Sequence, residues 1–293
     1  MTKVSLYIPC YNVGEFIEPC IQAVLKQTHP VDEILLIDDG CVDRTMEIAQ
    51  NYPVKIIKHP VNKGLAAARN TAFKNAQNEL VASLDADCVA DPLWLETLLS
   101  HLEDPQVAIA GGKLVESVLD SQADRWRESH MTQNWGERLL KNPLFMFGNN
   151  NVIRKSVIEQ IGYYNESMRT NGEDSDISKR IKAAGYDAVY DYKAVVKHRR
   201  YDSLASILDT YWRHWRFGSR SYFGDPSAVE VLRNAYHHLL SRTPALFGKD
   251  WGNRNYELLA IDLLVPGYMI YRDVRIFQGQ KSQSKAVAGS VSA

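Results

Sequence analysis

The sequence lacks an apolar run long enough to cross a bilayer. Its longest candidate, residues 259–266, contains Asp262 and Pro266, whereas a spanning helix needs about 20 predominantly apolar residues. An excess of charge is also missing, because the formal net charge is -1 at pH 7. This balance argues against general binding to nucleic acid. The 293 residues, 45% hydrophobic and 24% charged, suffice for one large core and an appendage.

Cysteine is scarce as well. The four cysteines, Cys10, Cys20, Cys41 and Cys88, do not have the closely spaced pairs of a zinc site. The first predicted strand begins at Val4, which leaves no room for a signal peptide, so the cytoplasm is the expected compartment. Thiols stay reduced there. We therefore interpret the cysteines as free thiols.

Acidic residues follow predicted strands at the points where those strands should meet solvent. Residues 81–84 lead into Asp85 and Asp87, and residues 33–37 lead into Asp39. A helical pattern follows each strand, which favours a parallel sheet with right-handed crossovers. Ligands of such sheets bind beyond the carboxyl ends of the strands. We therefore predict that the three aspartates share one crevice.

Two carboxylates one residue apart, as in Asp85 and Asp87, repel each other and lose hydration. A hard cation or ribose hydroxyls would complete such a site. Oxygen ligands of this kind suit Mg²⁺ or Mn²⁺ and phosphates. A pair of aspartates that caps a helix beginning near Pro92 would look similar, and the residues alone leave both interpretations open.

Two further segments could contact a ligand. Gly111 and Gly112 end a predicted strand and permit close approach of either a ligand or another backbone. Residues 147–151 are rich in amide side chains, including Asn149 and Asn150. Amides suit hydroxyl-bearing ligands, although such a segment is more often a simple turn.

Charged residues in the second half have ordinary explanations beside the functional ones. Glu173 and Asp174 begin a predicted helix, where acids usually complement the helix dipole. His198 follows a predicted strand, and a single histidine there is more often a surface residue than a metal ligand.

The rest of the chain is predicted to be mainly helical. Residues 121–141 are expected to form a helix that departs from the sheet. A helix from Ser203 places apolar residues on one face and arginines on another, and this stripe is either solvated surface or a contact for pyrophosphate or an anionic acceptor. The helical pattern continues to about residue 277. The tail, 278–293, is predicted to be disordered.

Five motifs occur in the order and spacing typical of family 2 glycosyltransferases. They are Pro9-Cys10-Tyr11-Asn12, Asp38-Asp39-Gly40-Cys41-Val42-Asp43, Asn62-Lys63-Gly64 with Ala68-Arg69-Asn70, Asp85-Ala86-Asp87, and Glu173-Asp174. The chain therefore resembles this family across roughly residues 4–220.

The resemblance implies the GT-A fold, an α/β class with a Rossmann-like, mostly parallel sheet flanked by helices. The glycosyltransferase domain would span residues 1–220, with its nucleotide-binding part in 1–90 and its acceptor-binding part in 91–220. A helical extension would follow over 221–277. The implied activity is inverting transfer of one sugar from a nucleotide-diphosphate donor, UDP-linked by preference, to a saccharide or lipid-linked hydroxyl acceptor. Mn²⁺ or Mg²⁺ would assist.

The resemblance also assigns roles to individual nucleotide-binding residues. Asp39 would accept the imide hydrogen of uracil, and Asp38 would support the turn. Arg69, whose forked donors suit phosphates, would lie near the nucleotide. The complete nucleotide set implied is Pro9, Tyr11, Asn12, Asp38, Asp39, Arg69, Asp85, Ala86 and Asp87, with Asp85 on the ribose.

The remaining roles concern the metal, the base and the sugar. Asp87 would bind the divalent cation, with His198 as a second ligand, although Mg²⁺ and Mn²⁺ usually prefer oxygen. Asp174 would be the catalytic base. The residues implied for contact with the donor or acceptor sugar are Gly111, Gly112, Asn149, Asn150 and Glu173.

Some features depart from the family pattern. Cys41 stands where serine is common, and Cys88 stands where members often carry another acid. The Gln-x-x-Arg-Trp motif of processive members is absent, which favours a non-processive enzyme.

Two other functions are considered at this stage. One is a nucleotidyltransferase, which would carry a glycine-rich, arginine-bearing loop after the first strand, and residues 9–14 lack such a loop. A binding protein without transfer activity is the other alternative.

Residues 211–222, aromatic and arginine-bearing, would allow peripheral contact at the inner face of a membrane. The oligomeric state is undetermined.

Overall fold

A computed structural model describes residues 2–168, 171–219 and 227–291. The strands and helices up to residue 160 are β1 (Val4–Cys10), α1 (Ile17–Leu25), β2 (Glu33–Asp38), α2 (Thr45–Ala49), β3 (Lys55–Lys58), α3 (Leu65–Asn75), β4 (Leu80–Leu84), β5 (Cys88–Ala90), α4 (Trp94–His101), β6 (Val107–Glu116), α5 (Gln122–His130), β7 (Leu140–Lys141), β8 (Asn150–Arg154) and α6 (Lys155–Gln160).

The remaining elements are α7 (Glu173–Ala183), β9 (Asp187–His198), α8 (Leu204–Arg213), α9 (Ala228–His237), α10 (Thr243–Gly252) and α11 (Leu259–Val291). Short π-helical turns, His214–Ser219 and His238–Arg242, follow α8 and α9. The chain divides into two compact units. The first unit contains the residues up to Val118 and Thr132–Arg200, and the second contains Leu119–Met131 and the residues after Arg200.

The sheet of the first unit is mixed. Its strand order is β3-β2-β1-β4-β8-β6-β9-β5, with β7 beside β9. Strands β1 to β4 run parallel, as the strand–helix pattern predicted. Strand β8 is antiparallel to both β4 and β6, so the sheet is less parallel than expected.

Helices cover both faces of this sheet, which explains why strands β1, β2 and β4 are buried along nearly their whole length. Leu6 and Ile8 of β1 pack in one buried cluster with Trp94 of α4. Tyr7, which points to the opposite face, packs in a second cluster with Phe73 of α3. The polar groups at the strand ends are therefore held by a sheet that is packed on both faces.

The amide-rich segment 147–151 is only in part the loop that was predicted, because residues 147–149 lie outside the strands but the last two residues do not. Asn150 and Asn151 lie inside β8 and pair with β4. Amides are usually depleted in strands, but Trp94 Nε1 donates to Asn150 Oδ1 and Asn151 Nδ2 donates to the carbonyl of Phe147. Hydrogen bonds to buried side chains therefore compensate for the weak strand preference.

The second unit is helical, and its core contains Trp126, Ile207, Tyr211 and Val265. The expected helix over 121–141 ends at His130, and residues from Thr132 return to the first unit. The helical unit begins again at Tyr201, nearer the N-terminus than the predicted boundary at 220.

The last helix is longer than predicted. Helix α11 continues to Val291, through most of the tail expected to be disordered, because Ala, Gln and Lys favour helix. Among the helices described, none has both the length and the apolarity that crossing a membrane requires.

Candidate active site

The turn after β2 is fixed by Asp38. Its Oδ1 accepts hydrogen bonds from the backbone N–H of Gly40, at 3.1 Å, and of Cys41, at 2.7 Å. Gly40 has a φ of 87°, in the left-handed region that favours glycine. Asp38 is 1% exposed, so it holds the turn from inside.

Asp39 connects this turn to the start of α3. Its Oδ1 accepts from Lys63 N at 2.8 Å and lies 2.7 Å from Nδ1 of His59. Its Oδ2 accepts from Gly64 N at 2.8 Å. A carboxylate has about four acceptor positions, so one position on Oδ2 is left for a ligand.

The polar turn after β1 lies against the turn after β2. Asn12 has a φ of 53°, and its Oδ1 accepts from Val42 N at 2.9 Å. Tyr11, just after Pro9, is 54% exposed. The two turns are joined, and the Tyr11 ring is open to a planar ligand.

Arg69 is enclosed by the protein. It is 1% exposed, and its Nη1 donates to the Tyr7 hydroxyl at 3.0 Å, to Ser83 Oγ at 2.7 Å and to the Gly148 carbonyl at 2.8 Å. Direct contact with a phosphate, for which its forked donors are suited, does not fit this position, because the guanidinium donates to groups in the interior. Arg69 therefore supports the site from the protein interior, through its hydrogen bonds to Tyr7, Ser83 and Gly148.

The charge of Arg69 acts on two acids at the site. Its Nη2 lies 3.5 Å from Asp85 Oδ1, and its Nε lies 3.5 Å from Glu173 Oε1. Burial raises the pKa of Asp85, and Arg69 opposes that rise. Burial and the neighbouring Asp174 raise the pKa of Glu173 to about 8, against the same opposing effect of Arg69.

Asp174 is the second residue of α7 and is half-buried, and its Oδ1 accepts from Ser175 N at 2.7 Å. It is close enough to Asp85 to raise the pKa of that carboxyl. Helix α7 thus brings Asp174 close to the acids that follow β4, and its role as the base stays a prediction.

Asp87, His198 and Glu116 form a chain of charged groups. His198 Nε2 lies 3.1 Å from Asp87 Oδ2, and its Nδ1 lies 2.9 Å from Glu116 Oε2. Burial alone would lower the pKa of His198, but Asp87 and Glu116 raise it to about 9. Burial alone would raise the pKa of Asp87, but His198 lowers it below its usual value.

This arrangement fits a divalent cation. Asp87 and His198 face each other, and a histidine whose second nitrogen is held by a carboxylate is typical of metal ligands. His198 is buried and paired, so it is not the ordinary surface histidine that its sequence context favoured. Ala86, between the two aspartates, is 4% exposed and offers only its backbone.

Three of the residues implied for sugar contact, Gly111, Gly112 and Asn150, lie in strands of the sheet, and Asn149 lies in the turn directly before β8. A Cβ on Gly112 would be 2.0 Å from the Ala194 carbonyl oxygen, so the glycine allows backbone rather than ligand to approach. Gly111 is similarly confined, by Met146. Asn149 and Asn150 are 6% and 1% exposed. These positions correct the predicted sugar contacts, and of that set Glu173 alone joins the acidic cluster.

Several contributors were missed in the sequence. They are Tyr7, His59, Ser83, Glu116 and Gly148. None belongs to one of the five motifs, and each contacts a predicted site residue, which is Arg69, Asp39 or His198. The acid at 116 had one available signal, its position at the end of a strand.

The first unit thus brings one group of predicted site residues into a charged cluster, which contains Arg69, Asp85, Asp87, Glu173, Asp174 and His198. Asn12, Asp38 and Asp39 hold the turns after β1 and β2. A family model for glycosyl transferase family 2 matches residues 5–163, more than half of the 293 residues. The chain belongs to glycosyl transferase family 2. Residues 5–163 contain the turns after β1, β2 and β4 but end before α7.

Two relatives illustrate the family. Glycosyltransferase AglE from Haloferax volcanii is 28% identical over 207 residues, 67% of this chain and 66% of AglE. Poly-beta-1,6-N-acetyl-D-glucosamine synthase from Staphylococcus epidermidis is 28% identical over 204 residues, 66% of this chain and 48% of the synthase. The aligned part thus spans less than two thirds of each of these curated relatives.

Solved structures share the fold. The mannosyltransferase PcManGT from Pyrobaculum calidifontis, in complex with GDP-Man and Mn²⁺, has a TM-score of 0.58 and 18% identity, covering 94% of this chain and 87% of that one. S. aureus TarS 1–349, in complex with UDP-GlcNAc, has a TM-score of 0.60 and 14% identity, covering 95% and 92%. The fold of this family 2 member is GT-A.

Proposed function

We propose that this protein transfers a single sugar from a nucleotide-diphosphate donor to a hydroxyl acceptor, with inversion, in the synthesis of a glycan, a cell-surface polysaccharide or a glycolipid. The observation that carries the proposal is the 3.1 Å approach of His198 to Asp87, beside Asp85 and in the same charged cluster as Asp174. Asp87 and His198 could hold a metal ion beside the donor, and Asp174 could act as the base for the acceptor hydroxyl.

The nucleotide would bind over the joined turns after β1 and β2. Tyr11 offers an exposed ring, and the remaining acceptor position of Asp39 matches the imide N–H of uracil. Asp85, whose side chain is 30% exposed, would accept from the ribose hydroxyls. UDP is our preferred nucleotide for this reason, and the complex of PcManGT with GDP-Man makes GDP the alternative to test.

Asp87 and His198 would hold Mg²⁺ or Mn²⁺ in the first unit. When bound, such a cation neutralises the negative charge that develops on the departing diphosphate. Glu116 would fix the orientation of His198 through Nδ1. The presence of Mn²⁺ in the PcManGT complex supports this choice of ions.

Asp174 would accept the proton of the acceptor hydroxyl as that oxygen attacks the anomeric carbon. The new C–O bond forms while the bond from the sugar to the diphosphate breaks, so one displacement inverts the configuration. The N-terminus of α7 favours an ionised carboxylate at this position. Buried Glu173 directs its carboxylate to Arg69 instead.

The acceptor is a saccharide or a lipid-linked saccharide. A lipid-linked acceptor would bring the enzyme into peripheral contact with a membrane. Tyr211 and Trp212, in the segment expected to make that contact, are buried, and residues 220–226 lie outside the described residues. Helix α9 is the better candidate, because Val229, Leu232 and Tyr236 are exposed along one face. Flotation with liposomes tests it, and no association would remove this part of the proposal.

A panel of UDP- and GDP-sugars, assayed for diphosphate release with Mn²⁺ or Mg²⁺, tests the whole proposal. We expect one donor to be hydrolysed slowly, only with metal, and not by Asp87→Asn. Release of pyrophosphate from a nucleoside triphosphate and a sugar phosphate would instead indicate a nucleotidyltransferase. Binding of nucleotide without any release would indicate a binding protein.

A further inference from the structure

The second unit contains a buried charged cluster that the proposed transfer does not use. His130 of α5, Asp250 of α10 and Asp262 of α11 each offer a ligand atom, and these atoms lie within 4.8 Å of one another. Both aspartates are 0% exposed. Asp262 is also the charge that interrupts the apolar run 259–266.

Hydrogen bonding within the cluster is incomplete. His130 Nε2 is 2.8 Å from Asp250 Oδ2 but 3.8 Å from Asp262 Oδ1, too far for a hydrogen bond. Within the described part of the chain, Asp262 Oδ2 is fully buried and has no partner. One imidazole N–H therefore cannot satisfy both carboxylates, and a buried carboxylate oxygen without a donor is costly.

Neighbouring donors orient both carboxylates through their other oxygen atoms. Trp126 Nε1 donates to Asp262 Oδ1 at 2.8 Å, and Ser129 Oγ donates to Asp250 Oδ1 at 3.2 Å. One oxygen of each aspartate is thus held. Asp262 Oδ2 has no partner among the described residues, and Asp250 Oδ2 faces Nε2 of His130 at 2.8 Å. Ligands fixed by an outer shell in this way are typical of metal sites.

The charge of the cluster also favours a metal ion. As metal ligands, two carboxylates and a neutral imidazole would bring a charge of about −2, which a divalent cation cancels, and buried charges in proteins are usually paired or bound to metal. The nearby ammonium of Lys249 donates to the carbonyl of Ser129 rather than to these aspartates.

We propose that His130, Asp250 and Asp262 bind a divalent transition-metal ion, with Zn²⁺ preferred, which links α5, α10 and α11. Zn²⁺ accepts histidine nitrogen together with carboxylate oxygen, whereas Mg²⁺ and Ca²⁺ prefer oxygen alone. The site shares no residue with the active site of the first unit. Its role is to stabilise the helical unit.

The test uses the full chain as Asp87→Asn, which removes the carboxylate ligand of the proposed active-site metal. After treatment with a chelator, we expect the protein to bind a single equivalent of Co²⁺ with visible d–d absorption. Zn²⁺ should abolish that absorption by displacing Co²⁺, and it should raise the Tm by mass action. Absence of Co²⁺ and Zn²⁺ binding to Asp87→Asn would overturn the proposal.

Asp262→Asn and Asp273→Asn, each added to Asp87→Asn, form a matched pair. Asp273 is also a buried aspartate of α11, and it accepts from Trp212 Nε1 at 3.0 Å and from Asn234 Nδ2 at 3.1 Å. We expect Asp262→Asn to weaken Co²⁺ binding at least about tenfold and Asp273→Asn to leave it unchanged. Equal Co²⁺ affinity in the two variants would place the metal elsewhere.

A spectroscopic measurement keeps the proposal testable if Asp262→Asn fails to fold. X-ray absorption at the zinc edge of Zn²⁺-loaded Asp87→Asn should show imidazole scattering and only nitrogen or oxygen ligands, at about 2.0–2.2 Å. Sulfur ligands at about 2.3 Å would show that cysteine binds the ion and would refute the assignment. Neither result depends on sugar transfer.

Discussion

The guanidinium of Arg69 fills the space beside Gly148: a Cβ built on this glycine would lie 2.6 Å from Nη2 and 3.0 Å from Cζ of Arg69. The carbonyl of Gly148 accepts from Nη1 of the same arginine at 2.8 Å. Glycine at 148 therefore sets the position of the cation that faces Asp85 and Glu173.

Gly148→Ala should displace Arg69, which is too enclosed to move freely. We expect the free energy of unfolding to fall by about 1–3 kcal/mol, the usual cost of overpacking, and diphosphate release to fall with it. Gly248→Ala is the control, because a Cβ there meets nothing within 4 Å and alanine in a helix interior stabilises by about 1 kcal/mol. Urea unfolding of both variants measures the difference. Unchanged stability of Gly148→Ala would mean that Arg69 has room to adjust.

Glu173 should make stability depend on pH. Its pKa in the folded protein is raised to about 8, above its value of about 4.3 in an unfolded chain. The protonated form fits the folded state better, so its contribution is complete below the unfolded pKa and is lost as the pH rises through about 8.

Glu173→Gln should therefore gain stability relative to the wild type as the pH rises from about 5 to about 8. Tm measurements across this range give the comparison. Exposed Glu159, also on a helix, provides the control Glu159→Gln, for which we expect no such trend. A constant difference between Glu173→Gln and wild type would show that Glu173 ionises normally.

Local sequence patterns predicted the parts of the site that depend on single strand ends. The turns carrying Asp39, Asp85 and Asp87 follow apolar strands, and parallel order brings them to one edge. The sequence also predicted that Asp174 lies in the first turn of a helix. These features depend on periodicity and on the positions of turn residues.

The remaining parts depend on contacts between distant residues. Glu116 meets His198 because β6 continues past Gly112 and pairs with β9 across a bulge. Arg69 is buried because three acceptors from separate segments surround it, although an arginine in an alanine-rich helix gives no such sign. Asn150 belongs to β8 because Trp94 supplies a donor.

Glu116→Gln should weaken metal binding without removing a ligand. Glutamine keeps the size of Glu116 but loses the charge that holds Nδ1 of His198. Loss of such an outer-shell carboxylate typically costs about 10–100-fold in metal affinity or activity. Activity titrated with Mn²⁺ should show this shift, with saturating Mn²⁺ restoring part of the rate. Exposed Glu137, tested as Glu137→Gln, should leave the Mn²⁺ dependence unchanged, and equal behaviour of both variants would contradict the role of Glu116.

Asp174→Asn should abolish turnover and spare donor binding. Loss of a general base typically lowers the rate about 10²–10⁴-fold, whereas the proposed nucleotide contacts lie on the turns after β1, β2 and β4. Asp176 is a matched control in the same helix turn, because it pairs with Arg180 at 2.7 Å. Asp176→Asn should keep near-normal kcat. Calorimetry with UDP and Mn²⁺ measures binding for both, and a near-native rate in Asp174→Asn would mean that another group accepts the proton.

The thiols should react slowly at neutral pH. Burial raises the pKa of the Cys41 thiol to about 11 and raises the pKa of Cys10, Cys20 and Cys88 well above the usual value. Cys41 is partly exposed and the other three are buried. Because the thiolate is the reactive form, alkylation of Cys41 should speed up about tenfold per pH unit between pH 7 and 10.

Intact-mass measurements with iodoacetamide follow this reaction. The native protein should acquire one label, absent in Cys41→Ser and retained in Cys10→Ser, and the unfolded protein should acquire all four. Asn12 N donates to Cys41 Sγ at 3.3 Å, so a nucleotide over this turn should slow labelling of Cys41. Rapid labelling at pH 7, or labelling of a buried cysteine before Cys41, would contradict the prediction. Either result would mean that the turns after β1 and β2 open in solution and that their hydrogen bonds break.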